Sequence, residues 1–150
     1  MKITLAAIGP RGNRSKSEAT DRLVADYVER ASRYVPCESQ IFDSETAVLD
    51  WLDRQPGRTP YTILLDSRGQ QYTSEEFSKH IGRIRDEGTQ RLVLAIGPAN
   101  GWSAEAHRQA NLLLSFGRLT LPHQLARVVL AEQVYRALTI LAGHPYHSGH

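Results

Sequence analysis

The chain has 150 residues, of which 41% are hydrophobic and 23% charged, proportions typical of one soluble globular domain. No apolar run approaches the roughly 20 residues that cross a bilayer, and the first apolar segment is too short for a secretory signal. The net charge of +2 does not by itself require a nucleic-acid partner. The single cysteine, Cys37, excludes an internal disulfide and favours a reducing, cytoplasmic location.

Strand-like and helix-like segments alternate along the chain. The hydrophobic patterns predict strands at Lys2–Ile8, Glu38–Phe42, Tyr61–Asp66, Arg91–Ile96 and Ser115–Leu121. They predict helices at Ser17–Tyr34, from Ser44 to a break at Pro56, from Ser74 to about Glu87, from Ser103 to about Leu113, and at His123–Ala142. This alternation indicates an α/β fold in which a mostly parallel sheet carries helices on both faces. Because no repeat or linker interrupts it, residues 1–150 are expected to form a single domain.

Loops follow the carboxyl ends of the predicted strands, where ligands bind in open parallel sheets. They lie at Gly9, at Asp66–Gly69 with its predicted turn Ser67–Gly69, at Gly97–Gly101 and at Leu119–Pro122. This position alone predicts a binding site. The loops contain no G-x-G-x-x-G, G-x-x-x-x-G-K-[ST] or G-x-S-x-G pattern, which excludes the common dinucleotide and nucleoside-triphosphate cradles and the hydrolase nucleophile turn.

Among the four histidines of residues 115–150, His123, His144 and His147 are candidate metal ligands. Histidine is a common metal ligand, but a zinc site usually needs three or four well-placed ligands. A proline stands inside the tail, and no carboxylate or cysteine lies near it in sequence. We therefore expect no metal site.

The last third of the chain carries the most specific pattern. It consists of Leu119–His123, Arg127-Val128, Ala131–Gln133, Tyr135–Ala137 and His144–His147. This pattern resembles the C-terminal signature of the SPOUT-class methyltransferases, and among them the ribosomal RNA large subunit methyltransferase H family. Weaker matches upstream follow the family's order and spacing, at Leu64–Asp66 with Gly69, at Ser74–Phe77 and at Ile96-Gly97.

The resemblance implies a C-terminal trefoil knot, a homodimer, and S-adenosylmethionine as the cofactor. It implies methylation of N3 of a pseudouridine in 23S rRNA, with the RNA or the assembled ribosome as partner and neither DNA nor a membrane. Carried over by position, the cofactor contacts are Leu65, Gly97, Pro98, Gly117, Arg118, Leu119, Thr120, Leu121 and Pro122. Apolar walls and free backbone polar groups at strand ends suit an adenine ring. The alternative is that Leu65, Leu119 and Leu121 are simply core residues.

The resemblance also points to the tail, where His144, Tyr146 and His147 are the candidate catalytic residues. A uracil-like N3 is a poor nucleophile until its proton leaves, and histidine is the natural general base near neutral pH. Tyr146 can stack on a base. We expect His123 to be structural, whereas Arg127 and Arg136 either reach phosphates or form ion pairs.

Two positions depart from the family pattern. Pro98 stands where a second glycine is usual, and Ser148 stands where an arginine or lysine is common. Proline fixes φ and has no N–H, so cofactor binding at this loop is weakened if the family needs that N–H or a positive φ there. The alternative to an active enzyme is therefore a divergent knotted dimer with weak or no methyltransferase activity, which acts as an RNA- or ribosome-binding module.

Overall fold

The computed structural model describes residues 1–9 and 14–148, and for residues 14–17 it describes the backbone only. Within these residues the strands are β1 (Lys2–Ile8), β2 (Cys37–Phe42), β3 (Tyr61–Gln71), β4 (Arg91–Ile96) and β5 (Leu112–Ser115). The helices are α1 (Arg14–Ala31), α2 (Glu45–Asp53), α3 (Ser74–Asp86), α4 (Ala104–Gln109), α5 (His123–Leu141) and a 3₁₀ turn at Pro145–His147. Of the helices described, none is long and apolar enough to cross a bilayer.

The five strands form one sheet in the order β2-β1-β4-β3-β5, and every neighbouring pair is parallel. Successive side chains of a strand face opposite sides of a sheet. In β1, Ile3, Leu5 and Ala7 therefore join one apolar core, and Ala6 and Ile8 join the other. A strand covered on both faces is expected to be a continuous apolar run, as β1 and β4 are. The predicted α/β architecture is confirmed.

Helices cover both faces of the sheet. Val24 of α1, Ile81 of α3 and Leu130 of α5 pack in the core on one face. Val48 of α2 and Ala106 of α4 pack in the core on the other face. The longer helices therefore share one side, which places the C-terminal helix between α1 and α3.

Local capping decides where several helices begin. The Ser44 hydroxyl accepts a hydrogen bond from the backbone N–H of Ala47, and the Ser103 hydroxyl accepts one from Ala106. Thr73 and Glu76 form a reciprocal capping box at the start of α3. These side chains satisfy N–H groups that have no partner inside the helix, so the starts predicted at Ser44, Ser74 and Ser103 lie within one residue of those observed.

The position predicted for the fifth strand is wrong. Strand β5 is Leu112–Ser115, and α4 ends at Gln109 because the next apolar residues belong to the strand. Gly117 has φ +122°, and residues 116–122 form a loop in place of the predicted strand. Leu119 is 87% exposed in this loop, so it is not a core residue. Pairing with β3 selected Leu112–Leu114 over the alternating pattern further along the chain.

Strand β3 extends beyond its predicted end at Asp66. Leu65 and Gln70 both lie opposite Leu114 of β5, so the chain between them bulges out of the pairing and returns. A Cβ on Gly69 would stand 2.6 Å from the backbone of Leu113. Only glycine permits this approach, and the predicted turn at Ser67–Gly69 is therefore a bulge within a strand.

Candidate functional site

A cleft of about 760 Å³ opens at the carboxyl edge of the sheet. Its walls are the bulge after Leu65, the loop after β4, and the segment that joins β5 to α5. All nine positions predicted for the cofactor line it, namely Leu65, Gly97, Pro98, Gly117, Arg118, Leu119, Thr120, Leu121 and Pro122. The structure therefore brings these residues together, and their contact with a cofactor remains a prediction.

Trp102 connects two walls of the cleft. Its indole Nε1 donates a hydrogen bond to the carbonyl oxygen of Leu65 over 3.1 Å. A Cβ on Gly97 would lie 2.6 Å from the same ring, so the loop after β4 needs glycine at this position for a reason of packing. Sequence reasoning missed Trp102, although a tryptophan directly before the Ser103 helix cap was a usable signal.

A hydrogen-bonded turn begins at Pro98 in the same loop. Its carbonyl oxygen accepts a hydrogen bond from the backbone N–H of Gly101 over 2.9 Å. The positive φ that the turn requires, +86°, falls on Gly101 and not on Pro98. The proline therefore occupies a position whose backbone conformation it can adopt.

The loop after β5 exposes backbone and apolar side chains to the cleft. The Ser115 hydroxyl accepts a hydrogen bond from the Gly117 N–H and lies 3.1 Å from the Gly117 carbonyl oxygen, which it can reach as a donor. A Cβ on Gly117 would meet no atom within 4 Å. Leu119 and Leu121 are both exposed. Exposed leucines beside the backbone of this loop provide the kind of surface that a heteroaromatic ring binds.

His123 closes the back of the cleft at the start of α5. Its ring packs on Gly9 at the end of β1, where an added Cβ would lie 3.1 Å from Cε1. Burial, with help from the Arg127 charge, lowers the pKa of His123 below its usual value, while a hydrogen bond to the Ile8 backbone acts in the opposite direction. Its buried Nε2 has no partner among the described residues.

Asp66 is a nearly buried carboxylate in the wall, with 6% of its side chain exposed. Oδ1 accepts hydrogen bonds from the Arg68 backbone N–H at 2.8 Å and its Nε at 3.4 Å, and Oδ2 accepts one from His107 Nε2 at 2.8 Å. Burial alone would raise the pKa of Asp66, but these hydrogen bonds outweigh it and the pKa is lowered. Asp66 therefore holds the bulge against α4 as a charged group.

The tail lies away from the cleft, in a polar network on α5. Glu132 Oε1 accepts hydrogen bonds from Arg136 Nε and Nη2 at 2.9 and 2.6 Å and from Tyr146 Oη at 3.1 Å. His147 Nδ1 accepts one from Arg136 Nη1 at 2.8 Å, and its Nε2 donates to Glu75 at 2.7 Å. Burial, followed by the effect of Glu132, raises the pKa of Tyr146 to about 12.

The predicted catalytic residues are thus not brought to the cleft within one chain, since none of them lines it. His144 is exposed, and its Nδ1 accepts a hydrogen bond from the Tyr146 N–H. Of the two arginine alternatives, the ion pair is what the structure shows: Arg136 binds Glu132, and Arg127 binds Asp21 over 2.7 Å.

Across residues 1–9 and 14–148, no group of three His, Cys, Asp or Glu side chains is placed to hold a metal ion. Burial, with a contribution from Glu38, raises the pKa of Cys37 to about 12. A thiol that stays protonated at neutral pH is a poor nucleophile.

Comparison with known proteins identifies the family. A family model described as "Predicted SPOUT methyltransferase" matches residues 1–147. A protein of Koribacter versatilis named Ribosomal RNA large subunit methyltransferase H is 49% identical over 151 residues, covering both chains fully. One of the same name from Mesorhizobium japonicum is 40% identical over 164 residues, covering 98% of this chain and 99% of that one. The chain belongs to the SPOUT methyltransferase family.

The family's fold agrees with the architecture described above. The SpoU methyltransferase AviRb from Streptomyces viridochromogenes, solved with AdoMet, superimposes with a TM-score of 0.51 at 12% identity, covering 95% of this chain and 59% of that one. The resemblance read from Leu119–His147 is confirmed, and the matched range includes the tail. In this SPOUT chain, cleft and tail are thus separate regions connected by α5.

Proposed function

We propose that the protein transfers the methyl group of S-adenosylmethionine to N3 of a pseudouridine in 23S rRNA, acting as a homodimer on the RNA or the assembled ribosome. The observation that carries the proposal is the convergence of all nine predicted cofactor positions on one cleft. The name of the relative that is 49% identical, Ribosomal RNA large subunit methyltransferase H, supports the substrate. The AdoMet complex of AviRb, which shares the fold, is consistent with the choice of cofactor.

The residues present fit such a cofactor. A volume of about 760 Å³ lies within the range of roughly 300–1,000 Å³ usual for ligand pockets. Leu65 and Leu121 offer apolar walls, Gly117 leaves open space, and the unpartnered Nε2 of His123 offers a polar contact. When bound, the cofactor supplies an electrophilic methyl group. As the bond between N3 and the methyl carbon forms, the bond between the methyl carbon and the cofactor sulfur breaks, and sulfur keeps its electron pair. N3 gives its proton to a base.

The chain's own contribution is alignment. Methyl transfer is an in-line displacement, and its rate depends on holding the reacting atoms close and in line. The Trp102–Leu65 hydrogen bond joins two walls, the Asp66–His107 bond holds the bulge to α4, and the Ser115–Gly117 bond fixes the loop after β5. These bonds keep the cleft in shape before a ligand enters.

A trefoil knot remains part of the proposal. Strand β5 lies at one edge of the sheet, yet α5 returns to β1, next to the opposite edge, where His123 meets Gly9. The chain therefore passes back across the loops that follow β3 and β4. Knots are rare in proteins, and here the family membership and this return path together support one.

Among the tail residues, His144 is the best candidate for the general base. Both ring nitrogens of His147 are hydrogen-bonded, to Arg136 and Glu75. Within the described residues the His144 side chain makes one hydrogen bond, which its Nδ1 accepts from the Tyr146 N–H, and its Nδ1 lone pair becomes the basic site once that bond opens. Since the tail does not reach the cleft of its own chain, the proposed homodimer would bring His144 to the cleft of a second copy.

Calorimetry tests the first half of the proposal. Titration of the purified protein with S-adenosylmethionine is expected to show one site per chain. Absence of heat at millimolar ligand would overturn it.

Mass spectrometry of 23S rRNA from a strain lacking the gene tests the second half, because one methyl group at a pseudouridine should disappear. A retained methyl group with normal cofactor binding would favour the non-catalytic ribosome-binding dimer.

A further inference from the structure

A second cavity adjoins the cleft. It has a volume of about 240 Å³ and shares the segment Leu114–Gly117 with the cleft as a common wall. Its other walls come from the end of β3, the start of α3 and the middle of α5, including Gln71, Ser74 and Gln133. The two cavities therefore lie beside the same backbone segment.

The lining of this second cavity is uncharged and combines polar with apolar groups. It contains no Lys, Arg, His, Asp or Glu, and combines amides and hydroxyls with the aromatic rings of Tyr72, Phe77 and Phe116. A phosphate or the amino-acid end of the cofactor carries charge, and burying charge without a partner is costly. A neutral planar ring with hydrogen-bonding edges is the ligand that this lining suits.

Two amides are available to such a ring. Gln133 Oε1 accepts a hydrogen bond from Ser74 Oγ at 2.8 Å, and its Nε2 donates to Glu132 at 3.0 Å. This leaves one N–H and one acceptor position on an oriented amide. The Gln71 side chain makes no hydrogen bond within the described residues and is exposed.

We propose that this cavity is the subsite for the target base, with Gln71 and Gln133 binding the imide edge of a uracil-type ring and the aromatic residues packing on its face. The inference rests on the proposed function and adds to it the residues that select the base. Enzymes that modify a base commonly take it out of the stack and read its edge by hydrogen bonds between ring contacts. The shared wall puts the ring beside the cleft.

The tail is connected to this subsite. Glu132, which orients the Gln133 amide through Oε2, holds Arg136 and Tyr146 through Oε1. A displacement of the tail therefore moves the Glu132 carboxylate, and with it the Gln133 amide that this carboxylate orients. Arg136 and Tyr146 act on the base through this contact, as positioning residues.

Three variants test the subsite: Gln133→Leu and Gln71→Leu remove the amides, and Val129→Phe fills the cavity without touching Glu132. Gln40→Leu, an exposed glutamine on the distant edge strand β2, is the matched control. Each protein is assayed for cofactor Kd by calorimetry and for methylation of ribosomes by kcat/KM. We expect kcat/KM to fall at least about tenfold in the three variants, because the leucines leave the polar edge of the ring unpaired and the phenylalanine occupies the space of the ring. Cofactor Kd should change less than about twofold. The control should match the wild type.

Each other outcome overturns the inference in a distinguishable way. Loss of cofactor affinity in Val129→Phe and Gln71→Leu would assign the cavity to the cofactor. Wild-type kcat/KM in all three variants would show that the base binds elsewhere, with the proposed function intact. A wild-type protein that binds the cofactor but methylates no ribosome would refute the proposed function and the subsite together.

Discussion

The cleft and the tail differ in how fully their polar groups are used. In the cleft, the side chains of Leu119 and Leu121 are exposed, and the buried Nε2 of His123 has no partner among the described residues. In the tail, Glu132 accepts four hydrogen bonds, and both nitrogens of His147 are engaged. An unpaired ring nitrogen and exposed apolar side chains at a strand edge indicate a surface that can take up a ligand, whereas the hydrogen bonds of the tail hold its side chains in fixed positions.

The largest expected effect comes from the cleft. In Gly97→Ala the new Cβ meets the Trp102 ring at 2.6 Å, and the ring is nearly buried and cannot move freely. We expect the free energy of unfolding to fall by about 3 kcal/mol and cofactor Kd to rise at least about tenfold. Urea denaturation and calorimetry measure the two. Trp102→Phe, which keeps a ring and removes one hydrogen bond, is the milder control, and equal effects in both variants would contradict the packing argument.

The tail variant Glu132→Ala should lower stability without weakening cofactor binding. It leaves Arg136, whose side chain is only 19% exposed, and Tyr146 without their acceptor. We expect a loss of about 2 kcal/mol in the free energy of unfolding with cofactor Kd unchanged. The exposed pair Arg22–Glu18 supplies the control, because Glu18→Ala removes the same kind of helical ion pair at the surface. A cofactor Kd that rises together with the loss of stability would contradict the view that the cleft binds the cofactor independently of the tail.

A smaller effect concerns pH. The pKa of His123 is lowered in the folded state, so the unfolded chain binds the proton first. The associated stability is complete above the usual value of 6.5 and is lost as the pH falls from there through the folded pKa. Denaturation between pH 8 and 5 should show a shallower decline in His123→Gln than in the wild type. The pKa of His80 is lowered too, so a remaining slope is expected from that residue. An identical slope in both proteins would show that His123 protonates without cost.

The smallest effect is expected for Pro98→Gly. Glycine keeps the carbonyl that binds Gly101 but loosens the unfolded chain, which costs about 0.5 kcal/mol. Cofactor Kd should therefore stay equal or rise up to about twofold. A tenfold gain in affinity on calorimetry would instead show that proline disables the loop, and would favour the non-catalytic alternative.

Sequence patterns predicted most of the fold because they report local physics. Strands β1 and β4 have the predicted bounds, since each is a continuous apolar run between turn residues. The helix starts at Ser44 and Ser103 followed from capping chemistry within four residues. The nine cofactor positions also came from the sequence, although through a family pattern, and what they bind awaits the calorimetric test.

Other features depend on residues far apart in the chain. The apolar runs at 112–114 and 119–121 are similar in sequence, and only pairing with β3 made the first one the strand. The approach of Gly97 to Trp102, the contact of His147 with Glu75 and the cavity between β3, α3 and α5 each join separate elements. Periodicity and caps therefore determined which elements exist. Tertiary packing decided where the last strand lies, which side chains of the tail are hydrogen-bonded, and that the Nε2 of His123 beside the cleft has no partner among the described residues.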